Sequence, residues 1–130
     1  MLDHIEIYVA DLDKSIKFWT PLLGHLGYEA DRWSDGINYR RGQEPYLSFL
    51  KASPDHIAAG YHRQRIGLNH LAFKAESRVQ VDAIAQWAKT AGHAVLYEDR
   101  FPFATGAGYY AMFCEDPDRI KVEVVAPSAA

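Results

Sequence analysis

The stretch "GLNHLAFKA", residues 67–75, decides the fold. Leu68, Leu71, Ala72 and Phe73 are apolar and Gly67 punctuates the entry, so the stretch predicts a strand. An imidazole, His70, sits in its middle. The chain opens on "MLDHIEIYVA", whose Leu2-Asp3-His4-Ile5 matches Leu68-Asn69-His70-Leu71. The two histidines stand half a chain apart in 130 residues. A half-length repeat predicts two copies of one unit, each beginning with a histidine-bearing strand.

Working outward, the first unit, 1–52, opens on a strand in which Ile5, Ile7 and Val9 alternate with His4, Glu6 and Tyr8. The segment "DLDKSIKFWTPLLGHLG" predicts a helix started by Asp11 or Asp13 and ended by Gly27. Pro21 inside it predicts a kink or a break. Strands are expected at 28–33, 37–41 and 46–52, with Asp35-Gly36 as the turn between the first two. A linker, 53–66, joins the units and carries a short helical turn. The second unit, 67–127, repeats the order. A strand at 68–75 leads to a helix at 77–91, with Ser77 and Gln80 as a capping box. Val81, Ile84, Ala88 and Ala91 form its apolar stripe. Strands follow at 94–98, 108–115 and 120–126, the last two joined by a type I turn over "EDPDR". The fold class is α+β: two βαβββ modules in one domain, forming a curved mixed sheet around a cleft.

Composition narrows the function. The chain is 48% hydrophobic and 24% charged with net charge −3, which is globular and carries no basic stripe for nucleic acid. Apolar runs are too short to span a membrane. The opening residues run straight into a strand pattern, so no signal peptide is expected and a cytoplasmic location is. Cys114 is the lone cysteine, in the apolar run "YYAMFC", and reads as a structural thiol. His25 and His93, at predicted helix ends, read as surface residues.

Strand alternation places His4, Glu6 and Tyr8 on the non-core face of the first strand and His70 and Lys74 on that of the fifth. On the last strand Lys121, Glu123 and Val125 face the same way, opposite Ile120, Val122 and Val124. Two imidazoles and a carboxylate suit a divalent metal with open positions. A lone strand histidine is more often a hydrogen-bonded structural residue than a ligand, and the repeat is what favours the metal.

Paired βαβββ units with a histidine on each opening strand resemble the vicinal oxygen chelate superfamily. That group includes glyoxalase I, fosfomycin-resistance thiol transferases, bleomycin-binding proteins and extradiol dioxygenases. "LDHIEIYVADLDKSIKFWTPLLGHLGYE" is similar to its first βα unit, and "GLNHLAFKAES" with "GYYAMFCEDPDRIKVEVVAP" to its second half. The resemblance implies metal ligands at His4, His70 and Glu123, with position 48 as the fourth-strand site. Ser48 stands there in place of Glu or Gln, which argues against glyoxalase I itself. Arg119 stands where the family often has Gly. A divalent ion (Fe, Mn, Zn, Ni or Mg) is the implied cofactor, chelating and polarising a small oxygenated substrate. Lyase, isomerase, thiol transferase and dioxygenase chemistry remain open.

Candidate substrate contacts on the cleft wall are Tyr8, Tyr39, Arg40, Tyr46, Arg100, Phe101, Phe103, Tyr109 and Tyr110, with core packing as the alternative for each aromatic. The loop 100–108 reads as a lid or a long hairpin connection. A metal-free binder of the bleomycin-resistance type and an accessory domain with a structural metal are the other readings. A homodimer is expected, with the modules pairing within one chain or across two.

Overall fold

The strand-helix-strand-strand-strand order occurs twice among residues 1–128, which the computed structural model describes. The chain divides into two compact units, Met1–Tyr61 and His62 onward. The first holds β1 (His4–Val9), α1 (Leu12–His25), β2 (Glu29–Trp33), β3 (Gly36–Arg40), β4 (Tyr46–Lys51) and the short α2 (Pro54–Ile57). Its sheet runs β1-β4-β3-β2, with β1 parallel to β4 and the other pairs antiparallel. The second holds β5 (His70–Lys74), α3 (Arg78–Thr90), β6 (Ala94–Leu96), β7 (Ala111–Glu115) and β8 (Lys121–Val125). Its sheet runs β5-β8-β7-β6, again with the opening strand parallel to the closing one. Each unit is thus a mixed four-stranded sheet, as the α+β reading requires. Among the described residues no helix is long and apolar enough to cross a membrane.

Helix α1 forms where its apolar spacing dictates. Asp11 caps it by accepting the Lys14 N–H, and Phe18, Trp19, Leu22 and Leu23 lie fully buried. Phe49 of β4 meets the Trp19 ring at 4.7 Å between centroids. Burying each such side chain is worth about 1.5–3 kcal/mol. Pro21 does not break the helix, which runs unbroken from Leu12 to His25. Buried neighbours on both sides of Pro21 hold the turn in place, outweighing the hydrogen bond that the missing N–H cannot make. In the second unit Ser77 accepts the Gln80 N–H, while Gln80 reaches back to the Glu76 N–H at 2.7 Å. The capping box is therefore shifted by one residue. Val81, Ile84, Ala85 and Ala88 are buried. Ala91 is not part of the stripe: it is the exposed C-cap residue.

Three further expectations are corrected. The tight turn between β2 and β3 is present but centred on Ser34-Asp35, so that Gly36 is the first residue of β3, paired with Trp33. Its lack of a side chain answers a close approach, because a Cβ there would stand 2.6 Å from the Phe49 carbonyl oxygen. The strand expected at 94–98 stops at Leu96, where Tyr97 turns into the left-handed region (φ 58°) and starts a single 3-10 turn, Glu98–Arg100. His93 is not on the surface. It is half-buried beside the Trp87 ring, and burial lowers its pKa.

Candidate functional site

Register places the functional side chains. In the parallel pair β5–β8, His70 lies opposite Lys121 and Ala72 opposite Glu123, so alternation sends His70, Lys121 and Glu123 to one face. On β7, Phe113 is opposite Glu123 and joins that face. The helix covers the other face, against Met112, Cys114, Val122 and Val124.

Glu123 is only 4% exposed although its strand face is not the helix-covered one. A buried carboxylate must be partnered. The Tyr109 hydroxyl donates to its Oε2, which pushes the tyrosine pKa up to about 12. Its Oε1 stands 3.3 Å from His70 Nε2. The other ring nitrogen, Nδ1, lies 2.7 Å from the Asn69 side-chain oxygen. That oxygen only accepts, so Nδ1 carries the proton. In the neutral ring Nε2 then presents a lone pair toward a carboxylate oxygen. Two lone pairs so placed call for a positive centre between them, either a proton or a metal ion. Two ligand bonds of ~2.1 Å at about 100° would separate their donor atoms by ~3.2 Å, so the spacing fits a shared divalent ion.

The first unit repeats the device. Asp3 Oδ2 lies 2.7 Å from His4 Nδ1, leaving Nε2 as the ring nitrogen not engaged by Asp3. The His4 ring stacks on Tyr46 at 4.8 Å, and the Arg40 guanidinium lies 4.0 Å from the Tyr46 ring centroid. Ser48 is buried opposite Glu6, as Glu123 is opposite Ala72. The two positions are therefore equivalent in register. Across from Ser48, on β3, the buried Oδ1 of Asn38 has no hydrogen-bond partner among the described residues. Within neither unit do three His, Cys, Asp or Glu side chains gather as a ligand set among the described residues. The second unit by itself contributes two donors, His70 and Glu123.

The remaining candidates separate. Tyr8 is exposed on β1. Tyr39 is a core residue, its hydroxyl 2.7 Å from Thr20 Oγ1. Tyr110 donates to Asp82 of α3 at 2.5 Å and packs edge-on against Phe101 and Phe103, with Arg78 over its ring. Tyr110 and Phe103 thus sit with the helix, while Tyr109 sits with Glu123. Arg100 lies 5.0 Å from the Tyr97 ring centroid. Asp3 and Asn69 were missed as partners of the histidines, although the matched tetrads already carried them. Lys121 donates to the Tyr97 hydroxyl at 3.0 Å, a contact with no sequence signal.

Comparison with known proteins decides the family. The model of the Glyoxalase/Bleomycin resistance protein/Dioxygenase superfamily matches residues 1–124. The chain belongs to that superfamily. It is 52% identical over 128 residues to the uncharacterized protein YqjT of Bacillus subtilis (strain 168), covering 98% of this chain and 99% of that one. The crystal structure of a candidate glyoxalase from Bacillus halodurans superposes with a TM-score of 0.94 at 53% identity, over 98% of this chain and 96% of that one. The fold is shared with the fosfomycin resistance protein FosX of Listeria monocytogenes (TM-score 0.70, 20% identity, 98% of this chain and 93% of that one). Superfamily membership fits the arrangement of His4, His70 and Glu123 on opening and closing strands. Cys114 takes no part in it: burial, reinforced by Asp116 and Glu115, pushes its thiol up to about 12.

Proposed function

We propose that this superfamily member is a divalent-metal-dependent enzyme acting on a small oxygenated substrate, by lyase, isomerase, thiol transferase or dioxygenase chemistry. His4, His70 and Glu123 are its metal ligands, with His4 supplied by the first unit of the same chain or of a second copy. The observation that carries the reading is the approach of His70 Nε2 to Glu123 Oε1 at 3.3 Å with Nδ1 already committed to Asn69. A bound divalent ion supplies Lewis acidity toward two neighbouring substrate oxygens. Asn69 and Asp3 hold the two rings with Nε2 free. Tyr109 occupies Oε2 of Glu123, so the carboxylate offers one oxygen and leaves positions open for substrate. The active species is a cytoplasmic homodimer. What supports the dimer is that β1 and β5 each end their own sheet and carry half-buried isoleucine, leucine or phenylalanine.

Calorimetric titration of metal-stripped protein with Mn²⁺, Ni²⁺ and Zn²⁺ tests the metal reading. Wild type is expected to bind at least one of them tightly, and His70→Ala and Glu123→Gln to lose most of that affinity. Equal affinity in all three proteins would overturn it. Light scattering that finds only monomer would remove the dimer.

A further inference from the structure

Two cations beside Tyr97, Lys121 and Arg100, have no carboxylate partner among the described residues. Lys121 lies on the face of Glu123, two residues before it and opposite His70. Its ammonium donates to the Tyr97 hydroxyl at 3.0 Å and stands 4.9 and 5.2 Å from the Tyr97 and Phe113 ring centroids. Arg100 stacks on Tyr97 as well. Among the described residues neither cation has a carboxylate within ion-pair distance. The nearby acids are engaged or turned outward. Glu115 is claimed by both Arg63, at 2.5 Å, and Arg119, at 3.4 Å. Glu123 is held by Tyr109 and faced by His70. Glu98 and Asp99 are exposed in the 3-10 turn.

The backbone is strained to make this arrangement. Tyr97 is an aromatic residue in the left-handed region, which a side chain with a Cβ disfavours. From that position its ring meets both Lys121 and Arg100. Lys121, Arg100 and Arg63 all lower the pKa of the Tyr97 hydroxyl, the Lys121 hydrogen bond most strongly. An ammonium carries three donors, and Tyr97 accepts from one of them. The remaining donors sit in an aromatic frame, partly shielded from water, where a charge-assisted hydrogen bond is strong.

We propose that Lys121, Arg100 and the Tyr97 hydroxyl form a binding subsite for an oxyanionic group of the substrate, a carboxylate or a phosphoryl-type group. This deepens the metal-enzyme reading and rests on it for the reacting end. The substrate would carry its vicinal oxygens at His70 and Glu123 and its anionic group at Lys121.

The test uses metal-free wild-type protein, so that it stands apart from metal binding. Side-chain NMR signals of Lys121 and Arg100 are followed while inorganic phosphate or acetate is added at constant ionic strength. At least one probe is expected to give saturable shifts in the millimolar range, and the tighter of the two identifies the group. Lys121→Met keeps the stem on the two rings and is expected to weaken binding about tenfold. Lys121→Arg keeps it within a few-fold. Arg100→Gln, on the exposed turn, gives a smaller loss and serves where the Lys121 variant does not fold. Shifts that never saturate in wild type, or Lys121→Met and Arg100→Gln titrating like wild type, would overturn the subsite while leaving the calorimetric metal result standing.

Discussion

His70 and Glu123 face each other across β5 and β8 at 3.3 Å, and each is already held from behind, His70 by Asn69 and Glu123 by Tyr109. The pair has one ring nitrogen and one carboxylate oxygen left to offer. On the metal reading proposed above, Asn69 would act on the ion through the histidine. Asn69→Ala is expected to leave the fold intact and weaken metal affinity by about 10–100-fold, the usual effect of losing the partner of a ligating histidine. Calorimetry against wild type checks it, with thermal melting as the control. An unchanged affinity would show that the Asn69 contact does not select the tautomer.

Arg119 and Asp116 make a sharper prediction about the turn before β8. Asp116 is buried, and its Oδ1 accepts the N–H groups of Asp118 at 2.9 Å and Ile120 at 2.8 Å. Removing it in Asp116→Ala strands a buried N–H and should cost about 1–3 kcal/mol. Arg119 sits at φ 68°, where a Cβ is strained. Its exposed contact with Glu115 contributes little. Arg119→Gly should therefore stabilise the protein by roughly 0.5–1 kcal/mol, after allowing for the freer unfolded chain. Opposite signs for the two variants in urea unfolding are the expected outcome.

Gly36 gives a prediction of overpacking. A Cβ at this position would meet the Phe49 carbonyl oxygen at 2.6 Å and the Trp33 ring at 2.8 Å. The carbonyl belongs to the β3–β4 pairing and cannot move without disturbing it. Gly36→Ala should destabilise by about 1–3 kcal/mol. A melting temperature within a degree of wild type would show that the strand pair yields more readily than these contacts imply.

These residues also show what the sequence disclosed. The repeat, the two helices and the faces of β1, β5 and β8 were legible because period-two and helical spacing write burial directly into residue order. Of the kink or break expected at Pro21 the break does not occur, because local backbone chemistry does not register Trp19, Leu22 and Leu23, which are fixed by contacts distant in sequence. The end of β6 was hidden for the same reason. Nothing in "AVLYE" announces that Tyr97 leaves the strand, since its partners Lys121 and Phe113 arrive from later strands. Glu123 was placed on the correct face, but its burial was not readable, because Tyr109 reaches it from a loop without periodicity.

Cys114 carries the pH prediction. Burial, then Asp116 and Glu115, raise its thiol from the ordinary 9.0 to about 12. The folded chain therefore holds this proton where the unfolded chain has begun to release it. For a group whose pKa is raised on folding, the stability contribution is full below the unfolded value and fades as pH rises toward the folded value. The loss should start near pH 9 and continue toward pH 12. Tyr109, also pushed up to about 12, and Tyr110, raised by its bond to Asp82, act in the same direction. Tyr97, lowered by Lys121, acts against them. Urea midpoints compared at pH 8 and pH 10.5 should show a drop in wild type and a smaller drop in Cys114→Ala, whose baseline stability is itself reduced by the lost packing. The native thiol should also resist a disulfide-exchange reagent at pH 8 and react once the chain is unfolded, because the thiolate is the nucleophile and burial denies both charge and access. Rapid reaction in the native state would show that Cys114 is reachable and that its raised pKa does not hold.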